Sequence, residues 1–224
     1  MRDVRGTASP STRIVPTFAA VLALPEAPAV IAIDIPIGLP ERAVPGGRAA
    51  DVAARAVLGG RQSSVFAVPS RAAVMTGSYA DACRIALETS EPPRKVAKQT
   101  YNLFPRIREV DALMTPALQA RVLECHPEVA FWAMNGRRPL TLAKKVKSTP
   151  YPPGLALRRE LLSAEGFTAD FLATSFRAAV AGADDFLDAC ACAWTAGRIL
   201  DGNDLVFPSD PPCDARGLRQ EIRA

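Results

Sequence analysis

Four acidic side chains stand at positions where chemistry could be done. Asp34 lies near the end of an apolar run, AVIAIDI (29–35), just ahead of Pro36, Gly38 and Pro40. Glu124 lies near the end of a second short run, RVLEC (121–125), ahead of His126-Pro127-Glu128. Asp185 and Asp188 fall in the first turns of ADDFLDACACAWTAGRIL (183–200). Their spacing of three puts both carboxylates on one helical face. Two like charges about 4 Å apart repel by roughly 4 kcal/mol at an effective dielectric of about 20. A divalent cation reverses the sign of that term. Carboxylates are hard oxygen ligands suited to Mg²⁺ or Mn²⁺. The chemistry that uses such clusters is in-line phosphoryl transfer, in which bound ions activate water and stabilise the leaving oxygen.

Each of these residues has a plainer reading as well. Asp184 can cap the helix and leave Asp185 and Asp188 as solvated first-turn acids. Asp34 can begin a turn after a strand that stops at Ile33. An unpaired acid inside a run that wants full burial would be costly, which favours a use for Asp34. His126, the single histidine, is placed to act as a general base, to bind phosphate or to bond to backbone.

The elements that must position these residues read as an α/β protein. A continuous apolar run such as 29–35 suits a strand buried on both faces, and α/β folds place their chemistry at the carboxyl ends of such strands. Residues 121–125 form a second strand candidate. Helices are expected at 17–24, 48–58, 79–90, 109–120, 155–164, 169–179 and 183–200, with a turn at 151–154. His126-Pro127 opens a further helix to Asn135, with proline early and Gly136 as the stop. Residues 61–71 are expected as loop and short strand. The proline-rich part from Asp201 reads as irregular. The domain reading is a polar N-terminus over 1–12, one domain over 13–208 and a tail over 209–224.

Composition narrows the field. The chain has 224 residues, 27 basic and 23 acidic, for a net charge of +4. An apolar fraction of 49% rules out wholesale disorder. The mild positive charge permits contact with nucleic acid without predicting it, and 6% aromatics argue against a base-stacking platform for single strands. Five scattered cysteines, Cys83, Cys125, Cys190, Cys192 and Cys213, read as reduced and mostly buried, as in the cytoplasm. With one histidine they make no zinc set. Residues 14–24 (IVPTFAAVLAL) before Ala27-Pro28-Ala29 have the outline of a secretory leader. Pro16 interrupts that stretch, Asp3 sits in its polar lead, and cleavage would fall at the start of the best strand. Prolines and acids also break the one candidate membrane span.

Five collinear strings carry a resemblance: IAIDIPIGLP (31–40), ADVAARAVLGGRQSSVFAVPSR (50–71), QTYNLFPRIREVD (99–111), LECHPEVAFWAMNG (123–136) and DDFLDACACAWTAGRI (184–199). Together they resemble the bacterial domain-of-unknown-function family numbered 429, a family of predicted ribonuclease-H-like nucleases. The likeness implies a ribonuclease-H-like fold, a central mixed sheet flanked by helices, with Asp34 on a central strand. It implies a hydrolase using Mg²⁺ or Mn²⁺ on a nucleic acid or nucleotide-like substrate, with Asp34, Glu124, Asp185 and Asp188 catalytic and Asp34, Asp185 and Asp188 on the metal. The D-x-x-D-A pattern at Asp185, Asp188 and Ala189 is similar to the last-helix acids of RuvC-type resolvases. Glu124, His126 and Glu128 match the family's E-x-H-P-E motif. Arg61, Ser63 and Ser64 match R-x-S-S, and Lys144 and Lys145 match a basic pair; with His126 these are the expected substrate contacts.

One departure matters. Family members open with a strand bearing G-V-D-G, then G-W, whose aspartate is the first metal ligand. Only about 28 residues precede the Asp34 strand here, they hold no such motif, and Asp3 is a poor substitute. Two expectations follow: a first strand missing or altered, whose absent neighbour a second subunit could supply in a homodimer, and an alternative function as a non-catalytic nucleotide- or nucleic-acid-binding protein with an incomplete metal site.

Overall fold

The computed structural model describes residues 10–177 and 181–224. Asp3 lies outside them. The chain opens with helix α1 (Phe18–Leu22), capped by Thr17, whose hydroxyl accepts the Ala20 N–H. Strand β1 (Ile31–Ile33) follows, then helices α2 (Ala49–Leu58), α3 (Arg71–Val74), α4 (Tyr79–Glu88), α5 (Lys98–Tyr101) and α6 (Phe104–Leu113). Strand β2 (Val122–Glu124) leads straight into α7 (Pro127–Met134). A hairpin of β3 (Lys145–Val146) and β4 (Thr149–Pro150) precedes α8 (Pro152–Ala164), α9 (Ala169–Leu172) and α10 (Ala183–Leu200). Strands β5 (Val206–Phe207) and β6 (Ile222–Arg223) complete the order.

This is a mixed α/β architecture. β1 and β2 run parallel, with Ile33 opposite Glu124. A single parallel bridge, Cys125 to Arg223, joins β2 to β6, which pairs antiparallel with β5. The expected continuous central sheet is therefore reduced to short pairs linked by a bridge. Prolines explain part of this: Pro36 and Pro208 follow β1 and β5 closely and cannot donate to a ladder. Among the described residues, β1 has no strand on its other edge.

Apolar packing orders these pieces. Phe131 of α7, Leu162 of α8 and Leu187, Ala191 and Trp194 of α10 share one cluster. Each fully buried Leu or Phe contributes about 1.5–3 kcal/mol. A second cluster joins Leu39, Val68, Ala82, Phe104 and Ile107. Among the described residues no helix is long and apolar enough to cross a membrane. Cys83, Cys125, Cys190 and Cys192 are buried and free, and Cys213 is exposed.

Several elements differ from expectation. Residues 61–71 contain no strand; a 3₁₀ turn (Gly59–Ser64) and extended chain lead into α3. The third long helix starts at Phe104 rather than 109 and stops at Leu113. Pro152 and Pro153 do not make a turn but begin α8, where a missing N–H costs nothing. The helix expected over 169–179 ends at Leu172, and residues 178–180 lie outside those described. The segment read as a tail is part of the core: Leu218, Ile222 and Ala224 are buried.

Candidate active site

Parallel pairing of β1 and β2 brings their carboxyl ends to one edge of the fold. Asp34 follows β1 and Glu124 ends β2. α10 packs across β1, which carries Asp188 to the same place. A cleft of about 310 Å³ opens there, with Asp34, Glu124, His126, Lys144, Ser64 and Phe66 among its walls.

The acids in this cleft have different states. Glu124 is tied down: its Oε2 accepts the Ile37 N–H at 2.7 Å, and both oxygens face Arg48. Arg48 also bonds Asp51 and the Ile37 carbonyl. Burial works against the charge of Arg48, but Glu124 and Asp51 outweigh it and hold the guanidinium firmly protonated. Burial likewise pushes the Glu124 carboxyl above its usual range against the pull of Arg48. The bidentate contact with a group that does not deprotonate makes the charged pair the state that persists.

Asp34 is open to the solvent of the cleft yet walled by protein. That enclosure pushes its carboxyl up to about 6, with Lys144 pulling the other way. Burial pushes Asp188 up to about 6 in the same manner, against its direct contact with Lys144. Burial opposes the Lys144 charge too, but Asp188, Asp34 and Asp184 together hold its ammonium above the ordinary range. The lysine is therefore bonded to Asp188 and shares the cleft wall with Asp34. Backbone geometry puts it there. A Cβ on Gly154 would stand 1.8 Å from the Ala143 carbonyl oxygen, so only glycine lets the start of α8 press against residues 143–144.

The helix-start acids sort differently from their spacing. Asp185 is exposed and its carboxylate accepts the Gly182 N–H at 2.9 Å, capping α10. Asp184 is buried and pairs with Lys145 at 2.6 Å. The acids turned toward the lysines are thus Asp184 and Asp188, and Asp185 serves the helix cap. Gly182, not Asp184, is the N-cap.

His126 precedes α7, and its Nε2 lies 3.2 Å from the Ser64 carbonyl. A carbonyl only accepts, so Nε2 carries the proton in the neutral ring and Nδ1 is left as an acceptor. Nδ1 is enclosed and has no partner among the described residues. Burial lowers the pKa of His126, with the Ser64 bond working the other way, so the ring stays neutral. Ser64 Oγ donates to the Arg61 carbonyl, whereas Ser63 is exposed and outside the cleft wall. Arg61 bonds Glu128 at 3.3 Å, and Glu128 also receives fully buried Arg158 at 2.7 Å. Both acids of the E-x-H-P-E motif are thereby neutralised by arginine. The sequence singles out neither Arg48 nor Arg158, and it offers Asp184 only as a helix cap. Nothing in R-A-A-D or R-R-E distinguishes a buried arginine from a surface one.

Asp34, Glu124, Ser64, His126 and Lys144 are thus brought together around the cleft, with Asp188 behind Lys144. Ser63 and Asp185 are not. Among the described residues no group of three or more His, Cys, Asp or Glu side chains forms a metal-holding set. Asp34 and Asp188 are the carboxylates that would hold one hard ion, since Mg²⁺ commonly takes one or two carboxylates and leaves its other positions to water and phosphate. They do not fit a two-ion centre.

No curated protein and no solved structure matches the chain. The family model described as "Protein of unknown function (DUF429)" matches residues 3–212. With nearly the whole length matched, the chain belongs to the DUF429 family.

Proposed function

We propose that the cleft hydrolyses phosphodiester bonds, in a ribonuclease-H-like arrangement that takes nucleic acid or a nucleotide-like substrate. The observation that carries this reading is Lys144, bonded to Asp188 and lining the same cleft as Asp34, an acid 154 positions from Asp188. A Mg²⁺ or Mn²⁺ held by Asp34 and Asp188 would supply charge to the phosphate and polarise it. The chain's own groups do the rest. His126, neutral and tied through Nε2–H to the Ser64 carbonyl, holds the Ser64 turn against the cleft. Lys144, displaced from the acids, places its ammonium against a phosphate oxygen. Arg48 fixes Glu124 and with it the floor of the cleft.

The test is cleavage of labelled RNA and DNA in Mg²⁺ and Mn²⁺, with Asp34→Asn and Asp188→Asn alongside. Metal-dependent cleavage that disappears in both variants is the expected result. Cleavage absent from the parent protein, or untouched in both variants, overturns the reading.

A second reading has its own support. Lys144 already neutralises the acid pair and Arg48 neutralises Glu124, so the cleft could bind a nucleotide with no metal at all. Calorimetry separates the two. Nucleotide binding of equal strength in Mg²⁺ and in chelator supports a non-catalytic binding protein.

A further inference from the structure

A second cavity, of about 270 Å³, lies beside the first, and Phe66 and Val68 belong to the walls of both. Its floor is apolar, with Val68 and Ala86 buried and Phe66 partly so. Its rim is basic. Arg94 and Lys95 are exposed there, and neither side chain has a carboxylate partner among the described residues. The acid on this rim, Glu91, is exposed and faces Arg42 at 3.9 Å. Lys98 stands close by, over the rings of Tyr79 and Tyr101.

We propose that this cavity is a second nucleotide subsite, so that the substrate is a strand and not a single small phosphoester. The inference rests on the reading of the first cleft as a phosphodiester site. An apolar floor under an unpaired cationic rim matches a nucleobase with its phosphate outside. Scarce aromatics argue against an open stacking surface, but an apolar pocket floor needs none. On this reading one chain of nucleotides crosses the wall that the two cavities share at Phe66 and Val68. An acidic peptide would match the rim but leave the apolar floor without use.

The experiment compares a fluorescent eight-residue oligothymidylate with a thymidine dinucleotide, by anisotropy and competition across a salt series. The full-length parent protein is set against the double variant Arg94→Ala/Lys95→Ala. Both side chains are exposed and unpaired, so folding is not at risk. The parent binds the eight-mer more tightly than the dinucleotide, and the variant lowers that ratio about tenfold. The slope of log K against log salt falls by about 1.4, at about 0.7 for each phosphate that the variant no longer neutralises. An eight-mer bound no better than the dinucleotide overturns the proposal. So does a ratio unchanged in the variant, or displacement of the eight-mer by a glutamate-rich peptide as readily as by oligonucleotide. The measurement needs no turnover. Absence of cleavage would count against the first cleft and leave this result standing, whereas an unchanged ratio strikes only the second subsite.

Discussion

Arg48 and Glu124 meet as a buried bidentate ion pair, Nη1 to Oε2 at 2.8 Å and Nη2 to Oε1 at 2.6 Å. Arg48 is the N-cap of α2 and Glu124 the last residue of β2, so the pair fastens a helix start to a strand end. It also removes Glu124 from any role that needs a free carboxylate. Removing one partner of such a pair strands a charge in the interior, at a cost of about 3–5 kcal/mol. Arg48→Ala should lower the free energy of unfolding by that amount, measured as a shift in the urea midpoint at constant slope. Arg48→Lys should recover little, because an ammonium cannot meet Glu124, Asp51 and the Ile37 carbonyl at once.

The acids of α10 should separate cleanly. Asp188→Asn is expected to weaken Mn²⁺ binding by about a hundredfold, since outer partners of metal sites alone account for about 10–100-fold. Asp185→Asn should leave Mn²⁺ binding near the parent value, because Asp185 serves the helix cap. Titration calorimetry of the two variants reads both effects. Equal losses would show that Asp185 reaches the cleft.

His126 should shape the acid limb of stability. Burial holds its folded pKa below the unfolded value of about 6.5. Its contribution is therefore whole above that pH and is lost as pH falls toward the folded value, since the unfolded chain binds the proton first. Asp34 and Asp188 act with the opposite sign. Their folded pKa of about 6 exceeds the unfolded value, so they relieve the fold as pH drops through 6. The difference between parent protein and His126→Gln isolates the histidine. That difference should shrink from about pH 7.5 to about pH 5 in thermal unfolding, and a constant difference would refute the assignment.

Thiol chemistry gives a check on the packing. One cysteine, Cys213, should react promptly with a disulfide reagent in the native protein. The four buried thiols should follow only on unfolding. Fast labelling of more than one would contradict the burial of Cys83, Cys125, Cys190 and Cys192.

Local signals were readable where they belonged to one element. α10 runs from Ala183 to Leu200 as its acids, apolar spacing and final Arg198 require. β1 and β2 lie within the two apolar runs, and Asp34 stands at the exit of the first, as parallel α/β strands demand. The hairpin of β3 and β4 was not readable, because KVKSTP offers no alternation and its turn uses positive φ at Lys147 and Ser148 instead of glycine.

Residue order alone was enough for the family and the mixed α/β class. Those depend on motif order and on periodicity, which are local and cumulative. Which acids are free is a matter of the folded arrangement. Spacings of three and four both share a helical face, so Asp184 and Asp185 are equivalent on paper. The Gly182 N–H claims one, and Lys145 claims the other. Glu124 likewise gave up its freedom to an arginine 76 residues away. Charge neutralisation inside a fold is settled by distance in space, and no pattern along the chain encodes that distance.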